Sequence, residues 1–378
     1  MEQKVAGRRW LLIPVCALAL ILVCRPWHSN LIQRSKRIAT FDAVLGTHCI
    51  WISDHRAIYM RYRKDDSGFE LAQIDADSGK VTPVEALNRK YAVMMQWLEP
   101  PALKSFTSYG RVSRRVPTLS VSPDGRWLVF CTWPTYVGNR KTEPCRYLAT
   151  NLDGTQEKRW DASSLSSTPQ EPYWLHDGHR CLEPIYDQMN WNTPVTLRIH
   201  DLDRPELDQT LILGGGAAAI RVWGIAEQDR MCSSDVRLHG FGMPITPVNY
   251  TVFVVPGLSS GNRSIGGSAI RVDLPIGTWN YDKTLSLHGD RVAWELWVKH
   301  SSWADRLRHY FRPSVPLRSE EQLGIWVTDL NGSHWSEVGY LSRSFQSGRG
   351  VINQVQWLPG GKQISFLYGD GLYTVPAP

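Results

Sequence analysis

The chain has 378 residues and a formal charge of +6, of which residues 1–30 carry +3 and residues 31–378 the other +3, leaving a near-neutral body. That excludes the concentrated basic stripe of a nucleic-acid binder, so no nucleic-acid partner is expected. Hydrophobic residues make up 42%, with 17 Trp, which is ample apolar surface for a large core and excludes a disordered chain.

At the start, Lys4, Arg8 and Arg9 precede the uncharged run Trp10 to Cys24, and Arg25 follows it. A membrane span usually needs about 20 apolar residues, so this run is short. No small-x-small cleavage site comes after it, and Val23 stands where a lipoprotein box requires a small residue. The expectation is an uncleaved signal anchor: a basic cytoplasmic tail over 1–9, a single N-terminal membrane-anchor helix over 10–26, a linker over 27–37, and a body over 38–378 on the extracytoplasmic side. A cleaved signal peptide and lipidation at Cys24 are the alternatives. Arg34, Lys36 and Arg37 on the far side weigh against this orientation.

The body repeats one grammar: strand, tight turn, strand, longer connection, strand ending near an Asp. Its clearest copy is Leu119 to Phe130, where Ser122-Pro-Asp-Gly125 separates two β-rich runs. Pro123 presets φ for the first turn position, and Gly125 can take the positive φ that closes the turn. In chain order the copies are Cys49 to Met60 with Phe69 to Asp75 behind it; Leu119 to Phe130 with Arg146 to Leu152; and Tyr173 to Leu182 with Thr196 to Leu202. A copy without glycine follows at Val222 to Cys232, with Tyr250 to Val255 and Ala269 to Leu274 as partners. The last two are Leu285 to Trp294 with Leu323 to Leu330, and Val355 to Phe366 with Gly371 to Val375.

Spacings between the turns, taken at Asp54, Asp124, Asp177, Asp229, Asp290 and Gly360, are 70, 53, 52, 61 and 70 residues. They fit four-stranded blades with variable loops. A four-stranded sheet has two apolar faces, and blades packed around an axis bury each against a neighbour. The expected fold is therefore an all-β, six-bladed β-propeller, with five or seven blades as alternative counts because the fourth copy is degenerate, and a β-sandwich as the alternative architecture. Residues Ile38 to Val44 are placed to supply the outer strand of the last blade.

Ser122-Pro-Asp-Gly-Arg-Trp-Leu-Val-Phe130 resembles the repeat of TolB-type, WD40-like β-propellers. Trp357-Leu-Pro-Gly-Gly-Lys362 and Trp174-Leu-His-Asp-Gly-His179 are similar to it at lower fidelity, while Asp54-His-Arg56 and Gly289-Asp-Arg291 lack the Pro. The resemblance implies a fold shared by periplasmic scaffold propellers and by the propeller halves of prolyl-oligopeptidase-like enzymes. It carries over no catalytic residue.

Each chemical motif has a plainer reading. Gly257-Leu-Ser-Ser-Gly261 matches a nucleophile elbow, but turn-forming residues follow where a helix should, so Ser259 is read as part of a loop. His176 and His179 straddle a hairpin turn and are explained by it, with no third metal ligand identifiable. Asp75, Asp201, Asp273 and Asp329 at strand ends are expected to cap turns, a cation ring being the alternative. Gly214-Gly-Gly216 lacks phosphate-binding spacing, and no cofactor is expected. Cys131 and Cys145 are the candidate disulfide. Trp51, Trp127, Trp174, Trp294, Trp326 and Trp357 fall in strands and are assigned to the core, whereas Trp133, Trp160, Trp191, Trp279 and Trp303 fall in connections and are candidates for lining a mouth.

Two insertions stand out as surfaces. Thr82-Pro-Val-Glu85 has the form of a capping box opening a helix through Leu98 that Pro100-Pro101 ends, while Lys80 to Val84 equally reads as an outer strand. Ser302 to Phe311 places Trp303, Leu307 and Tyr310 or Phe311 on one helical face with arginines around it. The plain reading packs that stripe on the propeller rim. The functional reading makes Trp303, Arg306, Leu307 and Phe311 a contact for a protein partner or an anionic membrane surface.

The functional expectation is a membrane-anchored, extracytoplasmic propeller with a non-enzymatic role, binding an unidentified envelope or membrane protein or peptide. The alternatives are a channel-mouth lyase or glycoside hydrolase, and a sugar- or ligand-sensing propeller.

Overall fold

A computed structural model describes residues 30–41, 49–63, 69–92, 118–131, 135–137, 140–143, 146–162, 172–185, 196–213, 220–235, 248–254, 264–265, 267–275, 278–279, 285–300, 303–314, 320–341 and 352–378. The anchor segment and the motifs at Ser259 and Gly214 lie outside these residues, as do Trp133 and Trp191. Among the described residues no helix is long and apolar enough to cross a membrane.

Six antiparallel blades follow the chain. Blade I is built from Cys49–Ser53, Arg56–Tyr62, Phe69–Asp75 and Val81–Pro83. Blade II comprises Thr118–Val121, Trp127–Cys131, Arg146–Asn151 and Glu157–Asp161. Tyr173–Trp174, Arg180–Ile185, Thr196–Asp201 and Gln209–Leu213 form blade III, to whose outer edge Ser264–Ile265 adds in parallel. Blade IV contains Ile220–Ala226, Arg230–Asp235, Val248–Val254 and Gly267–Val272. In blade V, Leu285–His288, Arg291–His300, Glu320–Asp329 and Trp335–Leu341 pair in order, and Thr278–Trp279 joins the far end of the second strand. Blade VI takes three strands from the C-terminus, Ile352–Trp357, Gln363–Tyr368 and Gly371–Pro376, and its outer strand, Lys36–Thr40, from the start of the body.

That last pairing closes the ring. Lys36 stands opposite Thr374 and Thr40 opposite Gly371. The closing strand thus starts two residues earlier than the sequence indicates. The preceding stretch, read as linker, is also built in: the short helix α1, Leu31–Arg34, buries Leu31 completely in the junction between blades V and VI. Asn30 caps it, its side-chain oxygen accepting from Ile32 N at 3.0 Å.

The apolar core is distributed around the ring. Ile58, Met60 and Leu71 of blade I meet Leu119, Leu128 and Phe130 of blade II. Trp127, Val129 and Tyr147 meet Leu202 and Trp174 across the next junction. Leu182 and Ile199 meet Val222 and Met231 between blades III and IV. Cys232, Tyr250 and Val272 face Val292, Trp294 and Leu296 in the fourth junction, and Ile325 and Val327 face Ile352, Val355 and Phe366 in the fifth. Leu358, Leu367 and Leu372 of blade VI complete the circle against Trp51, Ala57 and Ile74. Each blade therefore buries both faces, as the repeat requires, and the first strands of successive blades contact one another as the innermost elements.

The blade that lacks glycine makes its turn by another route. Gln228 and Asp229 both adopt positive φ, 58° and 54°, between the first two strands of blade IV. Ala226 pairs with Arg230, so the loop has three residues, Glu227 to Asp229, and two of them take the left-handed region without glycine.

In the Thr82 region the strand reading holds, and the helix that follows is shorter than expected, ending at Lys90 with Tyr91 as its C-cap. Val81–Pro83 pairs with Phe69–Asp75 as the outer strand, and helix α2, Glu85–Lys90, follows at once. The capping box is not used, because Thr82 is engaged in the strand opposite Gln73 and Val84 occupies the cap position without a side-chain bond.

Candidate functional site

Antiparallel alternation gives the ring two distinct faces. Hairpins between first and second strands lie on one, and connections between second and third strands emerge on the other. The hairpin face is a belt of turns that touch around the ring. His176 N donates to Asp229 Oδ1 of the next blade at 2.8 Å, and Gly360 N donates to Asp54 Oδ1 at 2.6 Å across the closing junction. Arg180 pairs with Asp177 within its own turn and with Asp229 beyond it, and Arg230 pairs with Asp290. Arg291 lies over the Trp357 ring at 4.6 Å and donates to Gly361 O. Sequence showed Asp and Gly as partners within one hairpin; the structure adds that the acidic side chain also reaches the neighbouring blade. The His176–His179 motif belongs to this belt, as turn chemistry predicts.

The acidic strand ends cap their own turns. Asp75 Oδ1 accepts from Ser78 N at 2.8 Å and Ser78 Oγ at 2.7 Å, which holds its carboxyl below the ordinary range. Asp201 accepts from Asp203 N and Arg204 N, and Asp329 from Ser333 Oγ. Asp273 pairs with Arg271 instead. Among the described residues no three His, Cys, Asp or Glu side chains converge as metal ligands would.

Blade III contains a polar group that sequence reading missed. The His200 ring faces Glu183 Oε2 at 3.1 Å and Asp208 Oδ2 at 3.0 Å. Lys158 of blade II reaches the same Asp208 at 3.0 Å, and the Trp160 ring packs tilted against the imidazole, 4.5 Å between centroids. Asp208 is held below its ordinary pKa: burial opposes this, but Asp201 N–H, Lys158 and His200 outweigh it. The His200 and Glu183 side chains are each 2% exposed, so this network joins blades II and III from the inside and meets solvent only through Asp208 and Lys158. Trp160, expected at a mouth, instead sits in the outer strand of blade II, stacked on Tyr147 at 5.1 Å. Its signal was the alternation in Glu157–Asp161, too short to read as a strand beside the Asp153-Gly154 turn.

Among the described residues the cysteines, Cys49, Cys131, Cys181 and Cys232, are all buried. Desolvation pushes Cys49 and Cys232 up to about 12 and raises Cys181 as well. Cys131 lies buried opposite Tyr147, and its proposed partner Cys145 is outside the described residues. Of the strand tryptophans, Trp51, Trp127, Trp294 and Trp357 are buried, and Trp174 and Trp326 are half-buried.

The connection face carries the candidate surfaces. Over blade I, an open cleft of about 670 Å³ is lined by Arg61, Arg63, Glu70, Glu85, Asn88, Arg89 and Ala92. Helix α2 forms one wall, fixed because Asn88 donates to Leu71 O and accepts from Leu71 N, filling the backbone positions a further strand would have taken. Arg61 Nε holds Glu70 Oε1 at 2.6 Å; partial burial works to lower its pKa, but Glu70 raises it on balance, so the guanidinium stays charged. Arg63 donates to Phe69 O at 3.0 Å. With three arginines to two glutamates, the lining carries a net positive charge.

Two blades away on the same face, helix α3, Trp303–Phe311, fills the connection between the second and third strands of blade V. Its apolar stripe does not lie flat on the rim. Leu307 is 43% exposed, Tyr310 77% and Phe311 74%, three of the four large exposed hydrophobics among the described residues. Tyr310 and Phe311 pack edge to face at 5.3 Å, and Arg308 and Arg312 are exposed beside them. Arg308 also reaches Asp305 at 3.5 Å. Trp303 and Arg306 belong to the same helix, but their side chains lie outside the described residues.

Six closed four-stranded blades, with turns of the Ser-Pro-Asp-Gly type, define a six-bladed β-propeller. The TolB-type resemblance stands at the level of fold. No protein-family model and no curated protein sequence matches the chain. Among solved structures it is similar to the β-propeller domain of the Trilobed protease from Pyrococcus furiosus, at 11% identity and a TM-score of 0.40, covering 89% of this chain and 83% of that one. It is also similar to TolB from Acinetobacter baumannii, at 11% identity and a TM-score of 0.37, covering 85% and 64%. A match to prolyl endopeptidases, at 14% identity and a TM-score of 0.42, covers 97% of this chain but only 51% of theirs, so the chain spans about half their length.

Proposed function

We propose that this chain is a membrane-anchored, extracytoplasmic propeller of TolB-like fold whose role is to bind a protein or peptide of the envelope or membrane rather than to catalyse a reaction. The carrying observation is the open basic cleft beside α2. Arg61 and Arg63 are fixed by Glu70 and Phe69 O, so they present charge at set positions. A broad opening with fixed charge suits an extended acidic segment lying across it. Cleavage chemistry instead needs a nucleophile or paired acid and base converging on one point. The uncharged run Trp10 to Cys24 supports the anchored reading, because it lacks a cleavage site.

The test is site-specific photo-crosslinking from position 89 of the full chain in membranes of its native host. The reading expects one dominant adduct whose captured segment is acidic, lost when Arg61 and Arg63 are both changed to Glu. Adducts spread evenly over many proteins, or turnover of added glycans or peptides by the purified chain, would replace binding with another function.

A further inference from the structure

We infer that helix α3 is a membrane-surface element: Leu307, Tyr310 and Phe311 enter the interfacial layer of an anionic bilayer while Arg308 and Arg312 meet lipid phosphates. The inference rests on the anchored reading above and deepens it by naming what covers the exposed helix.

Positions 307, 310 and 311 stand one turn apart and share a face of the helix. An aromatic and aliphatic face flanked by arginines is the composition that settles at a lipid headgroup boundary. Exposures of 77% and 74% mean that the two rings project from the surface rather than line a recess. A protein partner would need a groove shaped to receive them, whereas a headgroup layer conforms to a convex ridge.

The tether supplies the second argument. Asn30 bridges to Tyr340 in the outer strand of blade V, the blade that carries α3. Cys24, the end of the uncharged run, is six residues from Asn30, a reach of at most about 20 Å. Tyr340 stands opposite Gly324, and Glu320, where that strand emerges from the α3 connection, is four residues further along, about 13 Å. Helix α3 itself starts three residues after His300, which pairs with Glu320. An inserted run therefore holds the α3 edge of blade V within reach of the bilayer surface, and the lipid charge falls opposite Arg308 and Arg312.

The experiment mixes the purified full chain with phosphatidylglycerol-containing vesicles and, separately, with phosphatidylcholine-only vesicles. Flotation reports insertion, and amide hydrogen exchange reports protection over 303–312. The expected result is flotation with both lipids and α3 exchange slowed about tenfold in the anionic vesicles alone. Tyr310→Ser with Phe311→Ser should abolish that protection while leaving flotation intact, and because both side chains are exposed the ring should remain folded. Flotation with α3 unprotected overturns the inference and leaves the anchor standing. Failure to float removes the anchor and the inference with it. Protection that appears only when solubilised membrane proteins are added assigns α3 to a protein partner and overturns the lipid assignment.

Discussion

Gly178→Ala tests whether the belt of hairpin turns is held by contacts between blades. Gly178 has φ of 77°, and a Cβ there would stand 2.7 Å from Asp124 Cγ of the preceding blade. Two costs follow. Holding alanine in the left-handed region costs about 1–2 kcal/mol. Asp124 must also turn away from Ser122 Oγ and Arg126 N, which it accepts from at 2.5 and 3.0 Å. Its side chain is 36% exposed, so water recovers much of that loss and the second cost is about 1 kcal/mol. The sum is about 2–3 kcal/mol. For a ring of roughly 340 residues with an unfolding entropy near 0.7 kcal/mol per kelvin, this lowers the melting temperature by about 3–4 °C. Calorimetry on the single variants and on the double variant with Asp124→Ala separates the terms. With Asp124 removed, the glycine change should cost only its backbone part, leaving a coupling of about 1 kcal/mol. If Gly178→Ala lies within about 0.5 kcal/mol of the native chain, or costs the same in both backgrounds, the contact between turns does not support the ring.

Three further outcomes are expected. Deleting residues through Thr40 removes the strand that closes blade VI together with Ile38 and Ala39, each 7% exposed; cooperative melting should give way to an early transition, and a single unchanged transition would show that closure contributes nothing. Phe366→Ala empties a fully buried site stacked on Tyr373 at 5.5 Å and should cost about 3–5 kcal/mol in denaturant unfolding, with a value under about 1 kcal/mol contradicting the packing. Glu157 is held at about 2: burial acts to raise its pKa, but bonds from Tyr91, Arg159 and Lys90 prevail. The stability it supplies is thus complete above its ordinary value of 4.5 and is lost as pH falls from there toward 2, so Glu157→Gln should flatten that limb of the stability profile, and an unchanged slope would remove Glu157 as its source.

The repeat was legible because a hairpin turn is a local object. Ser122-Pro-Asp-Gly125 carries the φ preferences of its own turn, and the spacing of such turns points to six blades while leaving the count open at the degenerate fourth copy. Blade IV was hard to read for the same reason: Gln228 and Asp229 take the left-handed region without glycine, and only the pairing of Ile220–Ala226 with Arg230–Asp235 holds them there. The Thr82 region shows a capping signal overruled by a ladder bond, since the strand that needs Thr82 comes from tertiary pairing. The candidate surfaces were half legible. Arg61 and Arg63 stand two residues apart at one strand end, with nothing in that spacing to mark a cleft, and Arg89 joins them only through the seating of α2.

By itself, the sequence determined the repeat, the turns that make it, the apolar strands that need two neighbours each, and the short uncharged run at the start. These depend on residues near one another in the chain, whose conformational preferences and hydrophobic period act locally. Tertiary structure alone decided three things: that the closing strand starts at Lys36 rather than at Ile38, that the turn aspartates reach across blade junctions, and that Tyr310 and Phe311 face outward. An amphipathic stripe has the same spacing whether it packs on a rim or projects from it. The choice depends on which surface lies beneath the helix, and that surface is assembled from strands distant in the chain.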